Sequence, residues 1–178
     1  STLQFVMAGS DNEGLAYGAI ETKERYYLSW KEVSEEVNAK DKYLLQLTKP
    51  IRDLAATVEN RLDKNIIEML NKERFIELLH DYIVFDRGIK KLTRPNQYFG
   101  IKAAQEHVRK REGGIIWHTQ GSGKSLTMVW LTKWIRENVE NARVLIITDR
   151  TELDEQIEKV YKGVDEQIYR TTSGKDLI

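Results

Sequence analysis

The first 30 residues alternate short apolar runs with polar turns, a pattern typical of antiparallel strands. The apolar runs fall at residues 3–7, 15–20 and 26–28, and a polar, glycine-flanked segment separates the first two. Three strands in this order predict a small meander. Because a meander of this size buries little apolar surface alone, we expect it to be part of a larger sheet.

From about residue 43 the spacing of apolar residues becomes helical. Pro50 is expected in the first turn of one helix, whereas Asn71 is expected to cap a second helix that ends at Gly88. The apolar stripes of the two helices are Ile51, Leu54, Ala55, Val58 and Leu62, and Phe75, Leu78, Leu79, Tyr82 and Ile83. The stripes are predicted to be core, and the helices to form a connector.

The rest of the chain predicts one unit of a parallel sheet. A helix at residues 95–111 is followed by an apolar strand at residues 115–117, a glycine-rich loop and another helix. The largely apolar run at residues 143–148 is typical of a parallel strand that is covered on both faces. Strand, loop, helix and strand in this order predict a βαβ unit, so the predicted fold class is α/β.

The composition is that of a globular protein, and it restricts the candidate chemistry. The 178 residues are 40% hydrophobic and 31% charged, and 28 basic residues balance 28 acidic ones. Any DNA contact must therefore come from a local patch. The absence of cysteine excludes disulfides and thiol chemistry and suits a reducing cytoplasm. No apolar run approaches the roughly 20 residues that cross a bilayer, so no membrane segment is expected.

The glycine-rich loop at residues 118–125 carries the strongest chemical signal. It reads His-Thr-Gln-Gly-Ser-Gly-Lys-Ser and lies between a predicted strand and a predicted helix start, as a phosphate-binding (Walker A) loop does. Gly121 and Gly123 let backbone amides turn toward phosphate oxygens, and the helix N-terminus favours an anion. We expect Lys124 to reach the β- and γ-phosphates, and the Ser125 hydroxyl to bind a bridging Mg²⁺ ion.

Neighbouring residues leave alternatives open. Position 118 is histidine where the standard nucleotide-kinase loop has glycine, so only the second half of that pattern is met. Asp149 ends an apolar run, as a magnesium-binding carboxylate does in a compact phosphate-loop kinase or other NTPase. His118 is assigned no role, and Trp130 and Trp134 are expected to be core rather than base-stacking residues.

Three segments carry a resemblance to a known family. Residues 117–128 read WHTQGSGKSLTM, residues 146–156 read IITDRTELDEQ, and residues 94–99 read RPNQYF. They resemble helicase motif I, motif Ia and the arginine-x-x-glutamine element of the restriction (R) subunit of type I restriction-modification enzymes, a superfamily 2 helicase-like DNA translocase. The residues before 41 are similar to the end of the family's nuclease domain, and the following helices to its connector.

The resemblance implies a three-part organisation. Residues 1–40 would be the C-terminal part of a nuclease-domain sheet, residues 41–92 a helical linker, and residues 93–178 the first βαβ portion of a RecA-like P-loop domain. The nuclease carboxylates would lie before Ser1. The second carboxylate motif and the second motor lobe would lie after Ile178, because neither is found in this sequence.

The resemblance also implies roles for individual residues toward ATP, Mg²⁺ and DNA. Lys124 would be catalytic, Ser125 would be the magnesium ligand, and Gln97 would read the adenine edge. The remaining nucleotide contacts would be made by Thr119, Gln120, Gly121, Ser122 and Gly123. The contacts with the DNA backbone would be made by Thr148, Asp149, Arg150 and Gln156.

For the intact protein, the resemblance implies a type I site-specific deoxyribonuclease in which ATP hydrolysis drives movement along double-stranded DNA. Its partners would be methyltransferase (M) and specificity (S) subunits, and its location the cytoplasm. We expect the 178-residue fragment alone to be inactive, since it has no carboxylate pair to activate water. A self-contained phosphate-loop NTPase or kinase, and a non-enzymatic nucleotide-binding module, are the alternatives.

Overall fold

The structure, a computed structural model, describes residues 3–34, 41–149 and 151–171 and shows a mixed α/β fold. The strands are β1 (Val6–Ser10), β2 (Gly14–Gly18), β3 (Leu28–Ser29), β4 (Ile83–Asp86) and β5 (Ile89–Leu92). The helices are α1 (Lys42–Ala55), α2 (Arg61–Met69), α3 (Lys72–Asp81), α4 (Pro95–Lys110), α5 (Lys124–Asn138) and α6 (Thr151–Gly163).

The predicted N-terminal meander is confirmed as an antiparallel sheet in the order β1-β2-β3. Ala8 pairs with Ala16 near the middle of the first ladder, and Gly14 begins β2 with a φ of 84°. The central strand is largely buried because helix α2 packs against it. Asn65 of α2 accepts a hydrogen bond from the Leu15 amide at 3.1 Å, which fixes the helix to the strand.

The predicted connector helices exist, but their boundaries differ from the prediction. Asp41 caps α1 by accepting a hydrogen bond from the Leu44 amide at 3.1 Å, so the helix begins well before Pro50. Pro50 therefore lies inside α1, where it removes one helical hydrogen bond, and its predicted place in the first turn was wrong. A second cap, Asn60, accepts from the Asp63 amide at 2.7 Å and starts the separate helix α2.

The helix predicted to run from Asn71 to Gly88 is a shorter helix followed by a hairpin. Asn71 caps α3 as predicted, but the chain then reverses through the antiparallel strands β4 and β5. Arg87 and Gly88 form the turn with φ values of 52° and 79°, and two positive φ values are those of a tight hairpin turn. Ile83, the first residue of β4, continued the predicted helical stripe only because its spacing happens to match a helical period.

One hydrophobic core joins all three predicted segments. Its centre is a chain of aromatic rings, with Trp30 5.6 Å from Tyr98, Tyr98 4.9 Å from Tyr82, and Tyr82 6.5 Å from Trp130 between ring centroids. Trp130 is buried, which confirms it as a core residue. The start of the chain, the helices and the region after residue 93 therefore stabilise one another.

The two predicted parallel strands are not formed among the described residues. Residues 115–117 and 143–148 belong to no hydrogen-bonded ladder. Ile115 and Trp117 are each 89% exposed, and Ile147 is 82% exposed. The prediction of paired strands was wrong for this structure. An apolar run forms a parallel strand only where neighbouring strands supply hydrogen-bond partners and helices cover both faces.

Among the described residues, no helix has both the length and the apolar character that crossing a membrane requires.

Candidate nucleotide-binding site

The glycine-rich loop ends where helix α5 begins, as the sequence predicted. Gly123 is the N-cap residue with a φ of 84°, and Gly121 has a φ of 76°. Both values lie in the left-handed region, which glycine adopts without the steric cost of a side chain. Because the N-cap has no side chain, the first amides of α5 face a region that no side-chain cap fills. The helix is anchored behind the loop by its buried residues Val129 and Trp130.

The side chain of Lys124 lies across this loop. Its ammonium group donates to the Thr119 carbonyl at 2.9 Å and to the His118 carbonyl at 3.4 Å. The Ser122 hydroxyl donates to the same Thr119 carbonyl at 2.7 Å. Lys124 is exposed, so these carbonyl contacts can be exchanged for phosphate oxygens without unfolding the loop.

The start of helix α4 contacts the loop from the other side. The buried side chain of Gln97 donates to the Gly123 carbonyl at 2.9 Å, and the Arg94 guanidinium donates to the Gly121 carbonyl at 3.2 Å. The structure thus brings Gln97 to the phosphate loop, whereas the resemblance implied a contact with the adenine edge. The contribution of Arg94 was missed by the sequence analysis, although its position three residues before Gln97 in the same element was a usable signal.

A triphosphate with Mg²⁺ fits the chemistry of this loop. Two left-handed glycines and a helix N-terminus supply amide donors, and Lys124 supplies a positive charge. The hydroxyl of Ser125 lies in the first turn of α5 beside them. Among the described residues no three histidine or acidic side chains form a metal site, so Mg²⁺ would need phosphate oxygens besides Ser125.

His118, the first residue of the loop, is half-buried and packs against helix α4. A β-carbon added to Gly100 would lie 3.2 Å from the His118 ring, which shows how closely the helix approaches. Burial lowers the pKa of His118, a hydrogen bond with the Asn96 backbone opposes that shift, and the positive charge of Lys124 adds to it. Burial therefore favours the neutral form of the ring.

Among the described residues that were predicted to contact DNA, Thr148 and Gln156 lie against different parts of the chain. Thr148 donates a hydrogen bond to Asp154 of α6, and Asp149 is exposed. Gln156 lies on another side of α6, where it lines a shallow depression with Asp86 and Arg87 of the hairpin. Arg150 lies outside the described residues.

Comparison with known proteins agrees with the resemblance. The profile of the SWI2/SNF2 ATPase family matches residues 96–178. The chain is 34% identical over 128 residues to the putative type I restriction enzyme MjaIXP endonuclease subunit of Methanocaldococcus jannaschii, which covers 65% of this chain and 12% of that protein. It is 27% identical over 134 residues to the type I restriction enzyme HindI endonuclease subunit of Haemophilus influenzae, covering 67% and 12% of the two chains.

The resemblance to type I restriction enzyme endonuclease subunits is confirmed. The chain spans about one-eighth of the length of these curated restriction-subunit relatives. A shorter match, 30% identical over 84 residues, relates 44% of the chain to 9% of the SauCOLORF180P endonuclease subunit of Staphylococcus aureus. The SWI2/SNF2 ATPase match includes the whole glycine-rich loop and agrees with an ATP-dependent, helicase-like part of such a subunit.

Proposed function

We propose that the loop at residues 118–125 binds the triphosphate of ATP together with Mg²⁺. The observation that carries this proposal is the pair of left-handed glycines at the N-terminus of α5, with the Lys124 ammonium group lying across the loop. Thr119, Gln120 and Ser122 complete the loop, and Ser125 provides the magnesium ligand. Lys124 neutralises charge on the β- and γ-phosphates, and this stabilises the transition state of phosphoryl transfer.

In the longer protein, ATP hydrolysis at this loop drives translocation on double-stranded DNA before cleavage. The names of the restriction-subunit relatives support the endonuclease role, and the match to an ATPase family supports the motor role. Methyltransferase and specificity subunits are the proposed partners, and the cytoplasm, where ATP and DNA are both present, is the proposed location. Thr148, Asp149, Arg150 and Gln156 are proposed to meet the DNA backbone as part of motif Ia.

The proposed architecture assigns each part of the chain to a part of the restriction subunit. Residues 1–40 correspond to the end of the nuclease domain, residues 41–92 to a linker, and residues 93–178 to the beginning of a RecA-like domain. The order of loop, helix α5 and the apolar run before α6 supports this division. In a RecA-like sheet the exposed apolar residues of 115–117 and 143–148 would gain strand partners.

Replacing Lys124 with alanine in the full-length protein tests the proposed site. We expect ATP hydrolysis and DNA translocation to fall at least 100-fold, on the order of the loss of one preorganised charge contact. The fold should remain because the side chain is exposed. The matched control is Lys133→Ala, which removes a lysine from the far part of the same helix. Normal ATP turnover by Lys124→Ala would refute the assignment.

The alternative of a small phosphate-loop kinase or NTPase makes a different prediction for Asp149. If this carboxylate held the catalytic magnesium, Asp149→Asn would abolish hydrolysis at every DNA concentration. A motif Ia residue would instead change how strongly DNA stimulates hydrolysis and leave the magnesium dependence intact. Titration of ATPase activity with magnesium and with DNA separates the two roles.

A further inference from the structure

The hydroxyl of Tyr17 joins the N-terminal sheet to the start of helix α4. It donates to the Thr93 carbonyl at 2.9 Å, across 76 positions of the sequence. Tyr17 is 1% exposed and Thr93 is 2% exposed, so water has little access to this bond. Burial raises the pKa of the Tyr17 hydroxyl and the charge of Arg94 opposes that shift, so the group stays protonated and remains a donor.

The bond is made at the point where the chain enters the helix. The Thr93 carbonyl precedes the N-cap residue Arg94, so helix α4 offers it no amide. The Thr93 hydroxyl donates to the Arg94 carbonyl at 3.2 Å, and the Tyr98 amide donates to the same carbonyl at 3.0 Å as the first bond of the helix. Fixing Thr93 therefore fixes the direction in which the first turn of α4 begins.

The sheet holds this junction at further points. Strand β2, which carries Tyr17, is paired on both sides, with β1 and with β3. The Trp30 ring lies 5.6 Å from Tyr98 and 5.7 Å from Phe99 of α4 between centroids. In β5, the strand that leads into α4, the buried ammonium group of Lys90 donates to the Leu3 carbonyl at 2.5 Å. The N-terminal sheet is therefore a fixed support for the start of α4.

The first turn of α4 carries the side chains that reach the phosphate loop. Arg94 donates to the Gly121 carbonyl at 3.2 Å, and Gln97 lies beside Gly123. The resemblance gives Gln97 the adenine edge, and that contact needs the same turn in the same place. The Tyr17 hydroxyl acts on the turn from behind, through the Thr93 backbone, and leaves both side chains open to the nucleotide.

We propose that Tyr17 is a positioning residue for nucleotide binding, whose hydroxyl fixes the first turn of α4 at the phosphate loop. The proposal rests on the proposed function, because it presumes that residues 118–125 bind ATP. A turn that is fixed before the nucleotide arrives does not have to be ordered during binding, and this raises the affinity.

The test compares Tyr17→Phe with Tyr161→Phe in the full-length protein. Each variant keeps the ring and removes one buried hydroxyl. Tyr161 is 3% exposed, and its hydroxyl is bonded to that of Thr132 at 2.8 Å, between α6 and α5. The loss of one buried hydrogen bond is therefore matched at a place away from the start of α4.

Calorimetry with a non-hydrolysable ATP analogue and Mg²⁺ measures affinity, and DNA-stimulated hydrolysis gives KM and kcat. We expect Tyr17→Phe to raise both Kd and KM about fivefold, the effect of one hydrogen bond. The value of kcat should not change, because the hydroxyl does not touch the reacting phosphates. Tyr161→Phe should leave all three constants unchanged.

Hydrogen exchange of a peptide covering residues 93–99, read by mass spectrometry, separates positioning from a general loss of stability. Tyr17→Phe should speed the exchange of this peptide more than that of the rest of the chain, since the first turn of α4 opens locally. Tyr161→Phe should not speed it. Equal acceleration along the whole chain in Tyr17→Phe would overturn the positioning role.

The binding constants give the other decisive outcomes. Equal effects of Tyr17→Phe and Tyr161→Phe on Kd, or a lower kcat with an unchanged KM in Tyr17→Phe, would also overturn the positioning role. Lys124→Ala distinguishes this failure from failure of the proposed function. Loss of analogue binding in Lys124→Ala, with no change in Tyr17→Phe, overturns the positioning role alone. Analogue binding that is absent in the unsubstituted protein, or insensitive to Lys124→Ala, overturns both.

Discussion

At the scale of single residues, two histidines in opposite environments give a measurable prediction. Burial lowers the pKa of His118 below the ordinary 6.5, whereas a hydrogen bond with Asp81, followed by the charge of that carboxylate, raises the pKa of exposed His80. Because the unfolded His118 ring takes up its proton near pH 6.5 and the folded ring only at lower pH, His118 reduces the free energy of unfolding as pH falls below about 6.5.

Two-dimensional NMR titration of the imidazole resonances can measure both pKa values in one sample. His118 is expected to titrate below 6.5 and His80 above it, so each histidine serves as the reference for the other. A His118 pKa equal to or above that of His80 would show that the ring is not desolvated against Gly100 as the structure describes.

Residue-scale chemistry could be predicted where it depends on local sequence. The left-handed glycines 121 and 123 and the helix start at Lys124 were predicted, because turn chemistry and capping act within a few residues. The bond between Gln97 and Gly123 joins positions 26 residues apart, and only the folded chain shows it. A sequence pattern can predict which residues lie near such a site, but it does not predict which two atoms form a hydrogen bond.

At the scale of elements, the β4–β5 hairpin is an unpredicted feature that supports helix α6. The Arg87 amide donates to the Gly163 carbonyl at 2.7 Å, so the hairpin turn caps the C-terminal end of the helix. The turn was not predicted because Arg87 adopts a φ of 52°, a conformation in which glycine, asparagine or aspartate is the usual residue. Helices α1 and α2 were likewise merged in the prediction because their apolar residues keep one period across the cap at Asn60.

Two substitutions of Arg87 test the hairpin turn and its contact with helix α6. Arg87→Gly keeps the amide and suits the positive φ, so the free energy of unfolding should stay within about 1 kcal/mol of the original value. Arg87→Pro removes the amide and imposes a negative φ, and should cost about 2–3 kcal/mol. Thermal unfolding followed by circular dichroism measures both. Equal stability of the two variants would contradict the capping role of the hairpin.

At the scale of the whole molecule, the chain behaves as one packed unit although its sequence resembles three parts. Glu32, which follows β3, accepts hydrogen bonds from both terminal nitrogens of Arg74 in α3, at 2.6 Å and 3.1 Å. The guanidinium also lies 5.3 Å from the Trp30 ring centroid and 5.6 Å from that of Tyr98. Family motifs lead only to a proposed assignment of segments to the domains of a restriction subunit. They could not predict these contacts, which depend on how the segments pack.

Breaking this ion pair should therefore destabilise the whole chain. The side chains of Arg74 and Glu32 are 3% and 6% exposed, so Arg74→Met leaves a buried carboxylate without its cation and should cost about 3–5 kcal/mol. The matched control is Lys49→Met, which breaks an ion pair with Asp53 whose side chains are 65% and 63% exposed and should cost less than about 1 kcal/mol.

Urea unfolding of the chain, followed by tryptophan fluorescence and by circular dichroism, measures both free energies. The double variant Arg74→Met with Glu32→Leu should recover part of the loss, because it leaves no unpaired charge in the core. Recovery is incomplete because the Trp30 indole N–H loses Glu32 as its acceptor, at 3.0 Å in the original chain. The two signals should change together in every variant, since Trp30 and Trp130 belong to one continuous core. If Arg74→Met cost no more than Lys49→Met, the pair would be only a surface contact, and the parts joined at Arg74 would be stabilised separately.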